Sequence, residues 1–404
     1  VQDVRTRLPG DFWRVCVAAV VSHLGSGASG TASALLAASL TRAPRAVALV
    51  GVCSGLPWLL FALHTGTLAD RWDRKRAMWL CDLASAVQFA VLAVTVVTGR
   101  ANLAVLCVVA FGTATVSTLF DSASQAALPS LVPTPLLDRA NSRFYAGTVL
   151  TGFLLGPPLG SWAFGLAPAL PFGLDVVSFL GSAALILGVR TRIRATDEDR
   201  DTTGITRQIA VGLRWLWRHR QLRALVVLLT VWNLAETATI AVLVLYVLEV
   251  LHVGPSFYGL LLSGLAVGGL AGSAAAPWLR RRLGLGGVIA GTVVLSVMAY
   301  LLLALTTTPW IAVLLLGLIG FAAFAFNVVS ASYRGEAVPD HLRGRVYSAY
   351  RFATWGVTPI GAALGGVVAA AFGLPAVFAA TAAVLAAVAV VTLPSLTNAR
   401  LAAP

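Results

Sequence analysis

The chain has 404 residues, of which 58% are apolar and only 11% charged. Soluble globular chains lie nearer about 45–50% apolar and about 25% charged, so this composition excludes a water-soluble enzyme and describes a polytopic membrane protein. The net charge of +13 falls in short clusters between apolar runs rather than on one face, a pattern of membrane topology and not of nucleic-acid binding.

A bilayer-crossing helix needs about 20 predominantly apolar residues. Runs of that kind, broken by Pro, Gly and Arg clusters, predict twelve spans: 12–40, 46–68, 77–98, 102–127, 139–166, 172–190, 222–250, 256–279, 287–306, 310–333, 343–371 and 375–393. Span 1 carries His23 near its middle. Span 2 carries Trp58 and ends in Gly66-Thr-Leu-Ala-Asp70-Arg71-Trp-Asp73-Arg74-Lys75-Arg76. His64 and Asp82 are expected in a charge network at that end. Span 4 has Asp121 near its inner end and no basic residue between Leu106 and Leu119. Span 5 reads Gly152-Phe153-Leu-Leu-Gly156-Pro157-Pro158-Leu-Gly160-Ser161, small residues for close helix packing and paired prolines that bend the helix. Asp175 in span 6 and Glu249 at the end of span 7 are expected as solvated ends near the outer surface.

The polar segment 191–221 includes Ile205 to Arg220, where Ile209, Leu213, Leu216 and Trp217 share a helical face; it reads as an amphipathic helix on the membrane surface. It divides the chain into an N-terminal six-helix bundle (1–190), a linker (191–221) and a C-terminal six-helix bundle with a short tail (222–404). Span 7 contains Trp232-Asn233-Leu-Ala-Glu236. An ionisable group at mid-membrane is costly and by default functional; hydrocarbon disfavours its charged form, so Glu236 is the first candidate to take up and release protons, with His23 second. The loop Pro277-Trp-Leu-Arg280-Arg281-Arg282 has no aspartate and is expected only to anchor. Phe326 and Asn327 lie in span 10, and Arg351 and Trp355 in span 11. Together with Trp58, Phe153, Trp232 and Asn233, these aromatic and amide residues are candidates to line a cavity for flat hydrophobic molecules. Facing lipid instead would make the rings mere filler, and the sequence leaves both readings open. Arg351 either pairs with Asp121 or attracts an anionic cargo.

With both termini in the cytoplasm, only Arg42, Arg45 and Arg100 of the 29 basic residues fall outside, as the positive-inside rule requires. The halves repeat: His23-Leu24 aligns with Asn233-Leu234, Arg139 with Arg343, and LGSWAFGL (159–166) with LGGVVAAAFGL (364–374). Two parallel six-helix halves around a central site are the plan of a major facilitator transporter. The four cysteines, Cys16, Cys53, Cys81 and Cys107, match no disulfide or metal spacing. The single lysine, Lys75, follows Arg74 rather than glycine, so the chain has no P-loop of its own and any uphill transport draws on an ion gradient or a separate ATPase. No cleavable signal peptide is evident, and no cofactor or metal is expected.

The motif from Gly66 to Lys75 resembles the major facilitator signature G-x-x-x-D-R-x-x-R-[KR]. The resemblance implies a conformational switch in which Asp70 faces the N-terminus of span 11, where the helix dipole favours an anion, and Arg74 meets Asp121. Gly152 to Gly160 resembles the antiporter motif G-x-x-x-G-P-x-x-G-G of exporters, with Ser161 in place of the last glycine. The stretches 126–142, DVVSFL (175–180), 212–225 and VPDHLRGRVYS (338–348) resemble the drug:proton antiporter-3 branch, which includes macrolide and enterobactin exporters. The resemblance implies an all-α, twelve-span, monomeric protein of the bacterial inner membrane. It would expel lipophilic small molecules, such as antibiotics or siderophores, in exchange for protons. A nutrient importer of the same fold and a lipid flippase remain the alternatives.

Overall fold

The computed structural model describes residues 8–71, 73–191, 205–339 and 342–398, and every regular element among them is a helix. The side chains of 62–71 and 205–211, and those of Arg343 and Arg345, lie outside the described part. The helices are α1 (Gly10–Leu40), α2 (Pro44–Arg71), α3 (Arg74–Val97), α4 (Leu103–Leu131), α5 (Leu137–Val149), α6 (Gly156–Leu166), α7 (Leu170–Leu187), α8 (Ile205–Arg218), α9 (Arg220–Glu249), α10 (Pro255–Leu305), α11 (Pro309–Ala337), α12 (Arg343–Trp355), α13 (Thr358–Phe372) and α14 (Leu374–Thr392). They fall within a few residues of the expected spans.

Four of those spans take a form that hydropathy alone does not show. Spans 8 and 9 run together as the 51-residue α10, about 76 Å at 1.5 Å per residue and far beyond a bilayer of about 30 Å. Gly284 divides it, with φ 72°, a left-handed conformation that favours glycine. Asn398 clamps this turn: its amide donates to the Leu283 carbonyl at 2.8 Å and accepts from the Gly286 N–H at 2.7 Å. Span 5 is α5 and α6 joined by a π-helical turn, Leu150–Leu155, directly before Pro157. Span 11 is α12 and α13, broken at Gly356-Val357 just before Pro359. In both cases the proline has no N–H to give the carbonyl four residues back, so the ladder must rearrange there.

Packing divides the chain into two units, one of residues 1–40 and 60–201, the other of 41–59 and 202–404, so the first stretch of α2 packs with the second unit. Within the first unit α1 lies against α6 and α7, and α3 against α4 and α7. Its interior is built from Phe12, Met78, Phe120, Leu128 and Ile186 among others. Within the second, α9 lies against α13 and α14, and α10 against α11 and α14. Glycines set these distances. A Cβ on Gly156 would crowd the backbone of Gly27 and Ala28, and one on Gly160 would overlap Ala28. In the second unit a Cβ on Gly361 would overlap Thr237 and Leu234, and one on Gly365 Ala238. The second pair of contacts is the first moved by 210 residues on one helix (27 to 237, 28 to 238) and by 205 on the other (156 to 361, 160 to 365). The repeat read from sequence is thus also a repeat of contacts.

The helix α8 forms from the amphipathic segment. Leu216 is buried, whereas Leu213 and Trp217 are 40% and 51% exposed and line a cavity of about 580 Å³ with Val226, Thr230 and Ala353. Ile209 lies outside the described side chains.

A candidate coupling and translocation site

In the second unit Glu236 is half-buried, about one turn beyond Trp232 and Asn233 on α9. It forms no ion pair among the described residues. Tyr300 of α10, 1% exposed, lies beside it and hydrogen-bonds Thr239. Asn233 has a backbone role: its Nδ2 donates to the Thr354 carbonyl at 2.8 Å, at the break between α12 and α13. The side chain therefore takes over a carbonyl near the point where Pro359 interrupts the helical ladder. Replacing Asn233 by Ala, or by Asp, which cannot donate when ionised, is expected to cost about 1–3 kcal/mol by leaving that carbonyl unsatisfied. A lowered thermal unfolding midpoint of both variants in detergent checks this.

The expected cavity residues separate into groups. Trp58, Trp355 and Arg351 come together, with ring centroids 6.2 Å apart and the guanidinium 5.7 Å from the Trp58 ring, a cation–π contact. Trp355 is 53% exposed and Arg351 is also exposed, leaving this cluster open to a ligand. Trp232 and Phe326 instead stack on each other at 5.3 Å with 1% and 0% exposure, so in this structure they are core and not lining. Phe153 is 63% exposed on the π-helical turn, and Asn327 is exposed with its amide on the Ala323 carbonyl.

In the first unit His23 Nε2 stands 3.7 Å from Asp121 Oδ1, each side chain about a third exposed. Gly152, Gly156 and Gly160 form the strip that meets α1 along Gly27 and Ala28, and Pro157 is buried beside it. Of the loop motif, Gly66, Asp70 and Arg71 end α2, and their side chains lie outside the described part. Asp73 is the N-cap of α3, accepting from the Arg76 N–H at 3.1 Å. Arg74 donates to the Ala126 carbonyl at 2.7 Å, and Lys75 donates to the carbonyls of Leu187 and Val189 at the end of α7.

Three expectations are corrected. Asp175 is not a solvated end but 0% exposed, and Asp82 is not in the charge network near Arg76 but 1% exposed and bonded to Ser182 at 2.6 Å. Burial among serines on facing helices is a tertiary arrangement that a single span does not display. The loop at Arg280 does more than anchor: Arg280 Nη2 donates to both carboxylate oxygens of Glu336 at the end of α11, each contact 2.9 Å. Glu249, by contrast, is an exposed end facing Arg42 at 3.9 Å. Sequence reading missed Arg334, 6% exposed, which donates to Ser330 and to the Tyr350 hydroxyl and lies over that ring at 3.9 Å.

The pattern of the family described as transmembrane secretion effectors matches residues 9–402. The chain belongs to that family. A relative named multidrug efflux pump Tap, from Mycolicibacterium fortuitum, is 27% identical over 395 residues, covering 92% of each chain. The protein of that name from Mycobacterium tuberculosis is 26% identical over 389 residues, 92% of this chain and 90% of that one. Among solved structures, the nucleoside transporter NupG (as its D323A mutant) superposes with a TM-score of 0.77 at 12% identity, over 96% of this chain and all of that one. A bacterial homologue of the lysosomal transporter Spinster does so with 0.77 at 13%, over 97% and 98%. A bacterial homologue of the iron transporter ferroportin gives 0.71 at 18%, over 95% and 98%. This secretion-effector family member is therefore a multi-pass membrane transporter of the major facilitator fold, and not an enzyme.

Proposed function

We propose that this transporter expels lipophilic small molecules (antibiotics, siderophores or other secondary metabolites) across the bacterial cytoplasmic membrane, taking protons inward in exchange. The names of its curated relatives support efflux. The observation that carries the exchange is Glu236, a half-buried acid on a membrane helix without a counter-cation among the described residues. Such a group is costly to keep charged, and binding a proton removes the cost. The Trp58–Trp355 pair, half-buried at Trp58 and exposed at Trp355, supplies flat apolar surface for cargo, and Arg351 beside it favours electron-rich rings or an anionic group.

The driving force suffices. One net charge moved down 100 mV supplies about 2.3 kcal/mol. At about 1.4 kcal/mol per tenfold, that sustains a concentration ratio of roughly fifty. Both termini are taken as cytoplasmic, with Asp70 and Arg74 in the loop that switches as access alternates. A susceptibility panel in a pump-deficient host tests the reading: wild type raises the tolerated concentration of at least one lipophilic antibiotic, and Asp70→Ala returns it to the empty-vector level. If wild type instead sensitises the cells, transport is inward and the nutrient-importer reading replaces this one.

A further inference from the structure

Two carboxyls that this exchange does not use are sealed inside the first unit. Asp82 on α3 and Asp175 on α7 are 1% and 0% exposed, and neither forms an ion pair among the described residues. Asp82 accepts from the Ser182 hydroxyl at 2.6 Å and from Ser22 of α1. Asp175 Oδ1 accepts from the Ser178 hydroxyl at 2.8 Å, Ser29 of α1 also bonds this carboxyl, and Oδ2 has no partner among the described residues.

These residues follow helical spacing. Asp175, Ser178 and Ser182 share one face of α7, and Ser22, Gly25 and Ser29 one face of α1. Buried Ser85 lies one turn beyond Asp82. A Cβ on Gly25 would overlap Asp175 Oδ1 and the Ser178 hydroxyl, so glycine lets α1 approach the carboxyl without displacing these side chains. The result is a polar seam two turns long, about 10 Å. At the Asp175 end Phe89 stacks on Phe172 and Phe179 with centroids 6.2 and 6.0 Å away. At the Asp82 end Ser22 adjoins His23, which with Asp121 is partly open.

We propose that Asp82 and Asp175 are reversible proton-binding sites inside the first unit, in a seam that ends at the His23–Asp121 mouth. An uncompensated charge so buried costs several kcal/mol even after relaxation, whereas the neutral acid does not. Asp175 Oδ2, with no donor among the described residues to stabilise it as an anion, is the oxygen that takes the proton. Serine hydroxyls both donate and accept, so they solvate either form of the acid and can pass a proton along. On binding, an O–H bond of a hydronium ion breaks, its proton forms an O–H bond on the carboxylate, and water is released. The titratable groups facing the seam are the two carboxyls themselves, free and buried Cys81 on α3, and His23 and Asp121 at the mouth. Of the three basic groups that open α3, Arg76 is exposed, and Arg74 and Lys75 are occupied by the carbonyls of Ala126, Leu187 and Val189.

The proposal rests on the proton-coupled reading but is tested without transport. Infrared difference spectra of the purified full chain in bilayers, taken across about pH 5 to 10, record the carbonyl band of protonated carboxyls. Wild type is expected to lose two components as pH rises, besides that of Glu236. Asp82→Asn and Asp175→Asn each remove one, and Ser182→Ala shifts the Asp82 component without removing it. Glu236→Gln leaves both in place, which separates failure of this proposal from failure of the Glu236 reading. If neither Asn substitution removes a component, or if the two keep full strength at every pH, the proposal is overturned. Should Asp82→Asn not fold, an unshifted spectrum in Ser182→Ala does so as well.

Discussion

Glu236→Gln is expected to abolish proton-driven accumulation of a lipophilic dye in inverted membrane vesicles, while the amount of protein in the membrane stays at the wild-type level. The substitution keeps the size and hydrogen-bonding reach of the side chain and removes only the titration. With one proton exchanged per cargo, the driven ratio of roughly fifty should fall to one, because the gradient no longer acts on the carrier. Dye counterflow without a gradient should persist, since a permanently neutral residue at position 236 mimics the proton-loaded state. Driven accumulation that continues undiminished in this variant removes Glu236 from the mechanism.

The second large effect lies at the glycine contacts. Gly160→Val and Gly365→Val each place a branched side chain where even a Cβ overlaps the backbone of the facing helix, at Ala28 and Ala238 respectively. Backbone cannot turn aside as a side chain can, so α1 must part from α6, or α9 from α13. Overpacking typically costs about 1–3 kcal/mol, and separation of a whole helix pair reaches the upper part of that range or exceeds it. The expected result is loss of folded protein at 37 °C and a lowered unfolding midpoint in detergent. Gly30→Ala and Gly291→Ala are the controls, because nothing lies within 4 Å of a Cβ there. They should be neutral or stabilising, as Ala exceeds Gly by about 1 kcal/mol in helix propensity. Equal behaviour of all four variants would show that close packing does not set these helix pairs.

The two units repay the sequence's regularity differently at their functional residues. His23 and Asn233 align in the repeat, yet one stands 3.7 Å from a carboxylate and the other holds a backbone carbonyl. Alignment located both on the same stretch of helix, but the partner depends on what the neighbouring helix offers. The same holds for the aromatic residues. All were expected at middle depth, and depth follows from distance along a helix. Whether a ring faces open space, as Trp355 does, or another ring, as Trp232 does, depends on the azimuth of the neighbouring helices.

Hydropathy, breakers and charge bias determined the number and order of the membrane spans, the twofold repeat and the position of Glu236 along its helix, because each is a property of consecutive residues in contact with one solvent. Only the tertiary structure decided that Asp82 and Asp175 are sealed among serines, that Gly284 and Asn398 turn one long helix into two, and that Trp58, Arg351 and Trp355 meet. These are relations between helices far apart in the chain, where the cost of a buried charge or an unpaired carbonyl is set by the neighbour, and the neighbour is not written in the local sequence.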